Sequence, residues 1–327
     1  MSARPTGVCC LLELCGRTAP PSWPISTVRA VGVAGTGSYG IQLARVLAAA
    51  GLTVFDINRP DRRIRHQHGK SDPIDAYVAA QNVAAGRATI IPKTHAGAAE
   101  ALRLLHTART SAVKARTQAI NQIRSHLVTV PDALRDQLRN LSASDLITTC
   151  ARLRSATDLT GPVAAAKFIL RRLARRYQQL DLEINEYDAE LSTLVMQAAP
   201  DLLSVYGVGL ETVARLLAAV GDNLERLHSE AAFAHLCGAA PISASSPRRD
   251  RHRLNRGGNR SANAALYLIA VVRMQHDRRT LDYVTRRTAQ GLQKKDIIRC
   301  LKRYIAREIY RALTCTITTE IYLQNPA

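Results

Sequence analysis

Apolar and polar positions divide this chain into an early stretch that alternates strand and helix and a long remainder that is helical. VRAVGVA (28–34) is a short continuous apolar run and reads as a buried strand. IQLARVLAAAG (41–51) spaces its apolar residues as a helix does and stops on a glycine, and LTVFDIN (52–58) reads as a second strand. A basic loop, RPDRRIRHQHGK, separates these from a helix predicted to begin near Asp72, with Ser71 or Asp72 as cap and Pro73 in the first turn.

Beyond residue 95 strand signals almost vanish. Ala101, Leu105, Ala108, Ala112, Ala115 and Ala119 recur at alternating steps of four and three. A stronger series, Val163, Ala166, Leu170, Leu173, Tyr177, Leu180, Ile184, Tyr187, Leu191 and Leu194, sustains an a/d pattern flanked by charges such as Arg171, Arg175 and Glu190. It predicts a coiled-coil helix about 45–50 Å long, pairing within one chain or between two. After Pro200, the Gly207-Val208-Gly209 turn leads into a helix ended by Gly221, a pattern that fits a helix-hairpin-helix whose backbone N–H groups meet sugar-phosphate; an ordinary turn between helices is the simpler alternative. The last helices are predicted near 261–275 and 294–316, the latter with Ile297, Leu301, Tyr304, Ile305 and Leu313 on a core face. Residues 1–27, with three cysteines, a tryptophan and prolines at 20, 21 and 24, are expected to be poorly ordered. The partition is 1–27, 28–95, 96–199 and 200–320, and the fold class is α/β plus α.

Charge changes this picture from a fold to a partner. The 327 residues carry 45 Lys+Arg against 26 Asp+Glu, a formal charge of +19, which on a folded chain implies a polyanion and salt-sensitive binding. Aromatic residues are only 4%, so the cores rest on Ala, Leu, Val and Ile, and aromatic stacking platforms are not expected to carry recognition. No apolar run approaches the ~20 residues that span a bilayer, so no membrane partner is expected. Seven cysteines form no CxxC pair and no ligand spacing with histidine, which excludes a disulfide scaffold and fits a reducing cytoplasm.

Three places could carry chemistry. GTGSYG (35–40) matches GxGxxG between strand and helix, with Asp56 closing the next strand where a dinucleotide site would hold a ribose; the absence of further alternating strands and helices argues against a nicotinamide enzyme. In SDPIDAYVAAQ, Asp72 and Asp75 share a helix face one turn apart, as an acidic cap favoured by the helix dipole or as ligands of a hard divalent cation. The segment FAHLCGAAPISASSPRRDRHRLNRGGNRSANAALYLIAVVRM (233–274) sets Ser245 and Ser246 among Arg248, Arg249, Arg251, Arg253, Arg256 and Arg260, beside a Gly257-Gly258 turn. Arginine forks bind phosphate bidentately, and a serine among them is placed to attack a phosphodiester; a basic surface loop with turn-forming serines is the plainer reading.

Taken together, VAGTGSYG…KSDPIDAYVAAQNVAAGRA, the 206–220 hairpin and the 236–274 stretch resemble bacterial insertion-sequence transposases that join a RuvC-like DEDD nuclease domain to a serine-bearing domain, over roughly residues 28–318. The resemblance implies recombination of DNA directed by a structured bridge (guide) RNA. It implies Mg²⁺ on Asp72 and Asp75, a covalent phosphoserine at Ser246 (Ser245 as fallback, Pro247 standing where the family has glycine), and a homo-oligomer whose composite site draws on different protomers. It makes 28–95 a partial RuvC/RNase H-like domain and 200–320 a serine-bearing helical domain. The family's acidic residue before GTGSYG is Ala34 here, and no earlier strand or aspartate is read in 1–27, so an N-terminally truncated or degenerate enzyme of low activity is expected; the alternative is a non-catalytic DNA- or RNA-binding remnant.

Overall fold

The computed structural model describes residues 28–57, 72–244 and 252–324, excepting the side chains of residues 72, 73 and 316–324. The described residues are mostly helical and divide into two compact units, one of those up to residue 97 with 220–228 and the other of those in 98–219 and from 229 on.

In the first unit, β1 (Ala30–Ala34) and β2 (Thr53–Ile57) pair in parallel, Ala30 opposite Thr53 and Ala34 opposite Ile57, with α1 (Ile41–Ala49) as the crossover. Their core is Val31, Val33, Ala44, Leu47 and Val54. The GTGSYG turn is fixed by Ser38 and Gly40 both donating their N–H to the Gly35 carbonyl. A Cβ on Gly40 would lie 2.5 Å from the Ala34 carbonyl oxygen, so only glycine lets the chain fold back so tightly at the strand's end. Gly35 (φ 70°) and Gly40 therefore have a structural reason, and the described residues add no further long strand to build a dinucleotide fold. Helix α2 (Asp72–Ala84) packs on β1 at Gly32, where an added Cβ would meet Val83 Cγ2 at 3.0 Å and the Ala79 carbonyl at 3.2 Å.

Residues 220–228 belong to this unit because polar side chains stitch them to 91–97. Buried Asn223 donates to the Pro92 carbonyl (3.0 Å) and accepts from Thr94 N–H (3.4 Å); Arg226 donates to the Ile91 carbonyl (3.2 Å), and Asp222 accepts from Gly97 N–H (3.1 Å). No partition of the sequence by segments anticipates this return.

The second unit is built on α3 (Ala98–Thr129) and α6 (Pro162–Ala198), which pair within one chain. The 37 residues of α6 make it about 55 Å long. Helices α4 (Asp132–Leu138) and α5 (Ala143–Arg152) close the far end, where Ile123, Leu127, Leu134, Leu138, Leu146 and Leu170 form one core. One predicted row of α6 is at the seam, with Leu170, Ile184 and Leu191 buried. The other row is shifted by one residue: Ala174 and Val195 are buried, whereas Leu173, Leu180, Tyr187 and Leu194 are only half-buried; Val163, which starts the first row, is exposed. The shift follows from Asp181 and Asp188, which occupy the true row and take Arg116 and Arg109 of α3 as partners, the latter bidentately at 2.5 and 3.1 Å. Leu170→Ala should cost about 2–5 kcal/mol and Leu173→Ala clearly less, read as urea midpoints at unchanged slope; equal costs would restore the predicted register.

The remainder continues through α7 (Pro200–Ser204), α8 (Leu210–Val220), α9 (Glu230–Leu236), the two-residue antiparallel strands β3 (Ile242–Ser243) and β4 (His252–Arg253), α10 (Arg260–His276), α11 (Arg278–Ala289) and α12 (Lys294–Gln324). In α12, Ile297, Leu301, Ile305 and Leu313 are buried as expected, but Tyr304 is 50% exposed and leaves the core face.

Candidate nucleic-acid interface

Two loops meet beneath the β3–β4 hairpin. The chain leaving α9 turns at Gly238 (φ 62°), and the chain leaving β4 runs through Asn255, Gly257 and Gly258 into α10. They touch glycine to glycine: a Cβ on Gly258 would stand 2.3 Å from Gly238 N and 2.5 Å from its Cα. Asparagines pin the contact. Asn255 donates to the His235 carbonyl (3.3 Å) and accepts from Gly257 N–H (2.9 Å). Asn259 donates its N–H to the Leu236 carbonyl and caps α10 by accepting from Ser261 and Ala262 N–H. Asn263, one turn into α10, donates to the carbonyls of Cys237 (2.8 Å) and Gly238 (3.1 Å) and accepts from Lys302 Nζ of α12 (3.0 Å).

Lys302 is buried, and that burial, with Arg299 nearby, pushes its ammonium below the ordinary lysine range. Burial pushes the Cys237 thiol up to about 12, so it stays protonated near neutral pH and is an inert packing group.

Around this root Arg253, Arg256 and Arg260 are all exposed. Arg256 and Arg260 line a cavity of about 490 Å³ with Asn263 and Tyr267, and Arg253 lines another of about 480 Å³ against α12. The structure thus gathers three of the six predicted arginines on one rigid base. Ser245, Ser246, Arg248, Arg249 and Arg251 lie outside the described residues, as does the side chain of Asp72.

The Gly207–Gly209 turn docks on α10: Gly207 (φ 78°) packs beside Ile269, and buried Arg273 donates to the Tyr206 carbonyl (2.9 Å) while pairing with Glu308 of α12 at 2.8 Å. Thr212 Oγ1 accepts the Gly209 N–H at 2.9 Å, so that donor already has an internal partner. One turn along α8, Arg215 pairs with Glu211 and donates to His106 Nε2 (3.3 Å). Burial first, and then the Arg215 charge, hold His106 below its ordinary pKa, consistent with a neutral ring accepting at Nε2. These contacts give the turn a packing role beside any phosphate role.

Among the described residues no group of three or more His, Cys, Asp or Glu side chains is placed to hold a metal ion. Asp75 is half-buried on α2, Ala34 is exposed where β1 ends, and Asp56 of β2 raises the pKa of Arg226 against the lowering that burial imposes. Arg226 thus brings positive charge within electrostatic reach of Asp56.

Two family models match this chain. Residues 26–131 match the DEDD transposase model of the IS110 type, described as "Transposase", and residues 199–285 match "Transposase IS116/IS110/IS902 family". The chain is also 27% identical over 316 residues to a protein of Mycobacterium paratuberculosis described as "Insertion element IS900 uncharacterized 42 kDa protein", covering 80% of this chain and 76% of that one. The first match contains β1, α1, β2, α2 and all of α3; the second contains the glycine root, the hairpin and α10.

Proposed function

We propose, from the premise that the chain is an insertion-sequence transposase of the IS110 family, that it handles DNA through the β3–β4 hairpin and that Ser246 is its nucleophile. The observation that carries this reading is the Gly238–Gly258 root, a packed base that presents Arg253, Arg256 and Arg260 to solvent, a short distance along the sequence from Ser245 and Ser246. Attack by Ser246 Oγ would form a new P–O bond as a bridging P–O bond of the strand breaks. The serine proton passes to a base, and the departing strand end takes one up as a hydroxyl. The phosphoserine keeps the energy of the ester, so a second strand's hydroxyl can reverse the step and rejoin. The arginines, Arg248, Arg249 and Arg251 among them, would bind the phosphate and the charge that develops on it. A guide RNA, a homo-oligomeric assembly, Mg²⁺ on Asp72 and Asp75, an RNase H-like first unit, and phosphate contact at Gly207 and Gly209 of a helix-hairpin-helix complete the proposal.

The activity is expected to be low, because Ala34 brings no carboxylate to the end of β1 and the Arg226 charge lies within electrostatic reach of Asp56. The same observation favours a second reading, a DNA- or RNA-binding protein without strand cleavage. Purified chain, Mg²⁺, matched RNA and labelled donor and target DNA distinguish them. The first reading expects salt-sensitive binding and a faint protease-sensitive protein–DNA adduct that disappears in Ser246→Ala. Loss in Ser245→Ala instead moves the nucleophile by one residue, and binding with no adduct at any enzyme concentration leaves the second reading.

A further inference from the structure

Tyr304 leaves the core face of α12 because it belongs to another stripe. Asp296, Arg299, Cys300, Arg303, Tyr304 and Arg307 follow the three-and-four spacing of one helix face, and all six line the cavity of about 480 Å³. The opposite wall is the hairpin root, from which Arg253 and Leu254 face the same space. Its volume falls within the range of small-ligand pockets, about 300–1,000 Å³.

The lining is amphipathic in a particular way. Arg299, Arg303 and Arg307 succeed one another at single turns, about 6 Å apart, a step comparable to that between successive phosphates of a strand. Arg303 and Arg307 share one carboxylate, Glu230, with Arg307 Nε at 3.1 Å, and Arg299 pairs with Asp296 at 2.7 Å. With Arg253 and buried Lys302, five cations therefore stand over two carboxylates. Two large apolar side chains are nevertheless left open here: Tyr304 at 50% and Leu254 at 44% exposure. Tyr304 is held from behind by an edge-on contact with Tyr283, ring centroids 5.9 Å apart. A row of arginines beside one braced, open aromatic ring suits a strand whose base is unstacked, because a duplex offers phosphates but no base face.

We infer that the cavity between the hairpin root and α12 is a single-strand nucleic-acid subsite, which seats one unstacked nucleotide with its base against Tyr304 and Leu254 and the flanking phosphates along Arg299, Arg303 and Arg307. This rests on the nucleic-acid reading above and adds to it a strandedness and a place. The α12 wall lies outside the matched segment 199–285. Lys302 is the positioning residue: through Asn263 it ties α12 to the Cys237 and Gly238 carbonyls and so sets the width of the gap.

The test uses the full chain, fluorescence anisotropy, and three probes: a short single-stranded DNA, the same sequence as RNA, and a DNA duplex. Tyr304→Leu keeps the apolar bulk and removes the ring. It should weaken single-strand binding about fivefold or more, leave duplex binding unchanged, and leave the melting profile as in the parent. Arg299→Gln with Arg307→Gln should lower the single-strand salt slope by about one to two. A loss confined to DNA or to RNA assigns the natural strand, and an equal loss on both assigns a sugar-blind subsite. Single-strand binding unaltered by Tyr304→Leu, or weakened no more than duplex binding, overturns the subsite while leaving the DNA reading intact. A parent that binds none of the three probes overturns both.

Discussion

Gly258→Ala should be among the most destabilising single substitutions in the second unit, with a loss above about 4 kcal/mol, whereas Gly257→Ala beside it should stay within about 0.5 kcal/mol of the parent. The two glycines are equivalent in sequence and opposite in environment. A Cβ at 257 meets only the Asn255 Oδ1, at an ordinary 3.4 Å. A Cβ at 258 lands 2.3 Å from Gly238 N, 2.5 Å from Gly238 Cα and 2.9 Å from the Leu236 carbonyl, all backbone atoms that cannot rotate away. Relief requires the two loops to part, which would also break the Asn259 N–H bond to Leu236 and the Asn263 bonds to Cys237 and Gly238. Those bonds hold the start of α10 and the foot of β4, so loss of nucleic-acid binding should accompany the loss of stability. Denaturant titration of the two variants measures the first effect and anisotropy with labelled DNA the second. Similar midpoints for Gly257→Ala and Gly258→Ala would show that the loops are not packed against each other.

The sequence made legible what repeats locally and left hidden what is joined at a distance. Strand, turn and helix limits in 28–57 follow from apolar runs ended by glycines, and the observed elements start and stop within two residues of them. The seam of α6 was legible in its apolar row of Leu170, Ile184 and Leu191. Its second row was not, because Asp181 and Asp188 read as solvent-facing until Arg116 and Arg109, 65 and 79 residues away, are set opposite them. Helix α11 carries little sequence signal because RRTLDYVTRRTA holds few apolar residues, Leu281, Tyr283 and Val284 its only large ones, and Thr280 is its one buried residue. At the candidate site the arginines and the Gly257-Gly258 turn declared themselves by composition. Gly238, Asn263 and Lys302 did not, since a lone glycine, asparagine or lysine on a helical pattern carries no signal until the α9 exit, α10 and α12 converge. Tyr304 was misassigned because a step of seven from Ile297 places it with the core, and only the packed helix shows that the boundary of the buried face passes between Tyr304 and Ile305.

Ala34→Glu should raise adduct formation by about 10²–10³-fold, the scale on which one charge-stabilising group acts at a reacting phosphate or acyl centre. The position can take the side chain without repacking. Ala34 is exposed at the carboxyl end of β1, the edge at which open parallel sheets gather their ligands. Its backbone is held firmly, because Gly40 folds against the Ala34 carbonyl and β2 pairs it with Ile57, so a glutamate there would start from a fixed point. A new carboxylate would also add to the negative charge that Asp56 and Glu225 now set against Arg226. Thermal melts with and without Mg²⁺ supply a readout independent of cleavage: the variant should show a larger Mg²⁺-dependent rise in melting temperature than the parent, since a cation that binds only the folded state stabilises it by mass action. Combining Ala34→Glu with Ser246→Ala should keep the Mg²⁺ effect and abolish the adduct, separating the carboxylate's contribution from the nucleophile's. If Ala34→Glu gains neither adduct nor Mg²⁺ response, the missing acid is not what limits this chain, and the reading as a transposase-derived nucleic-acid-binding protein without strand cleavage takes its place.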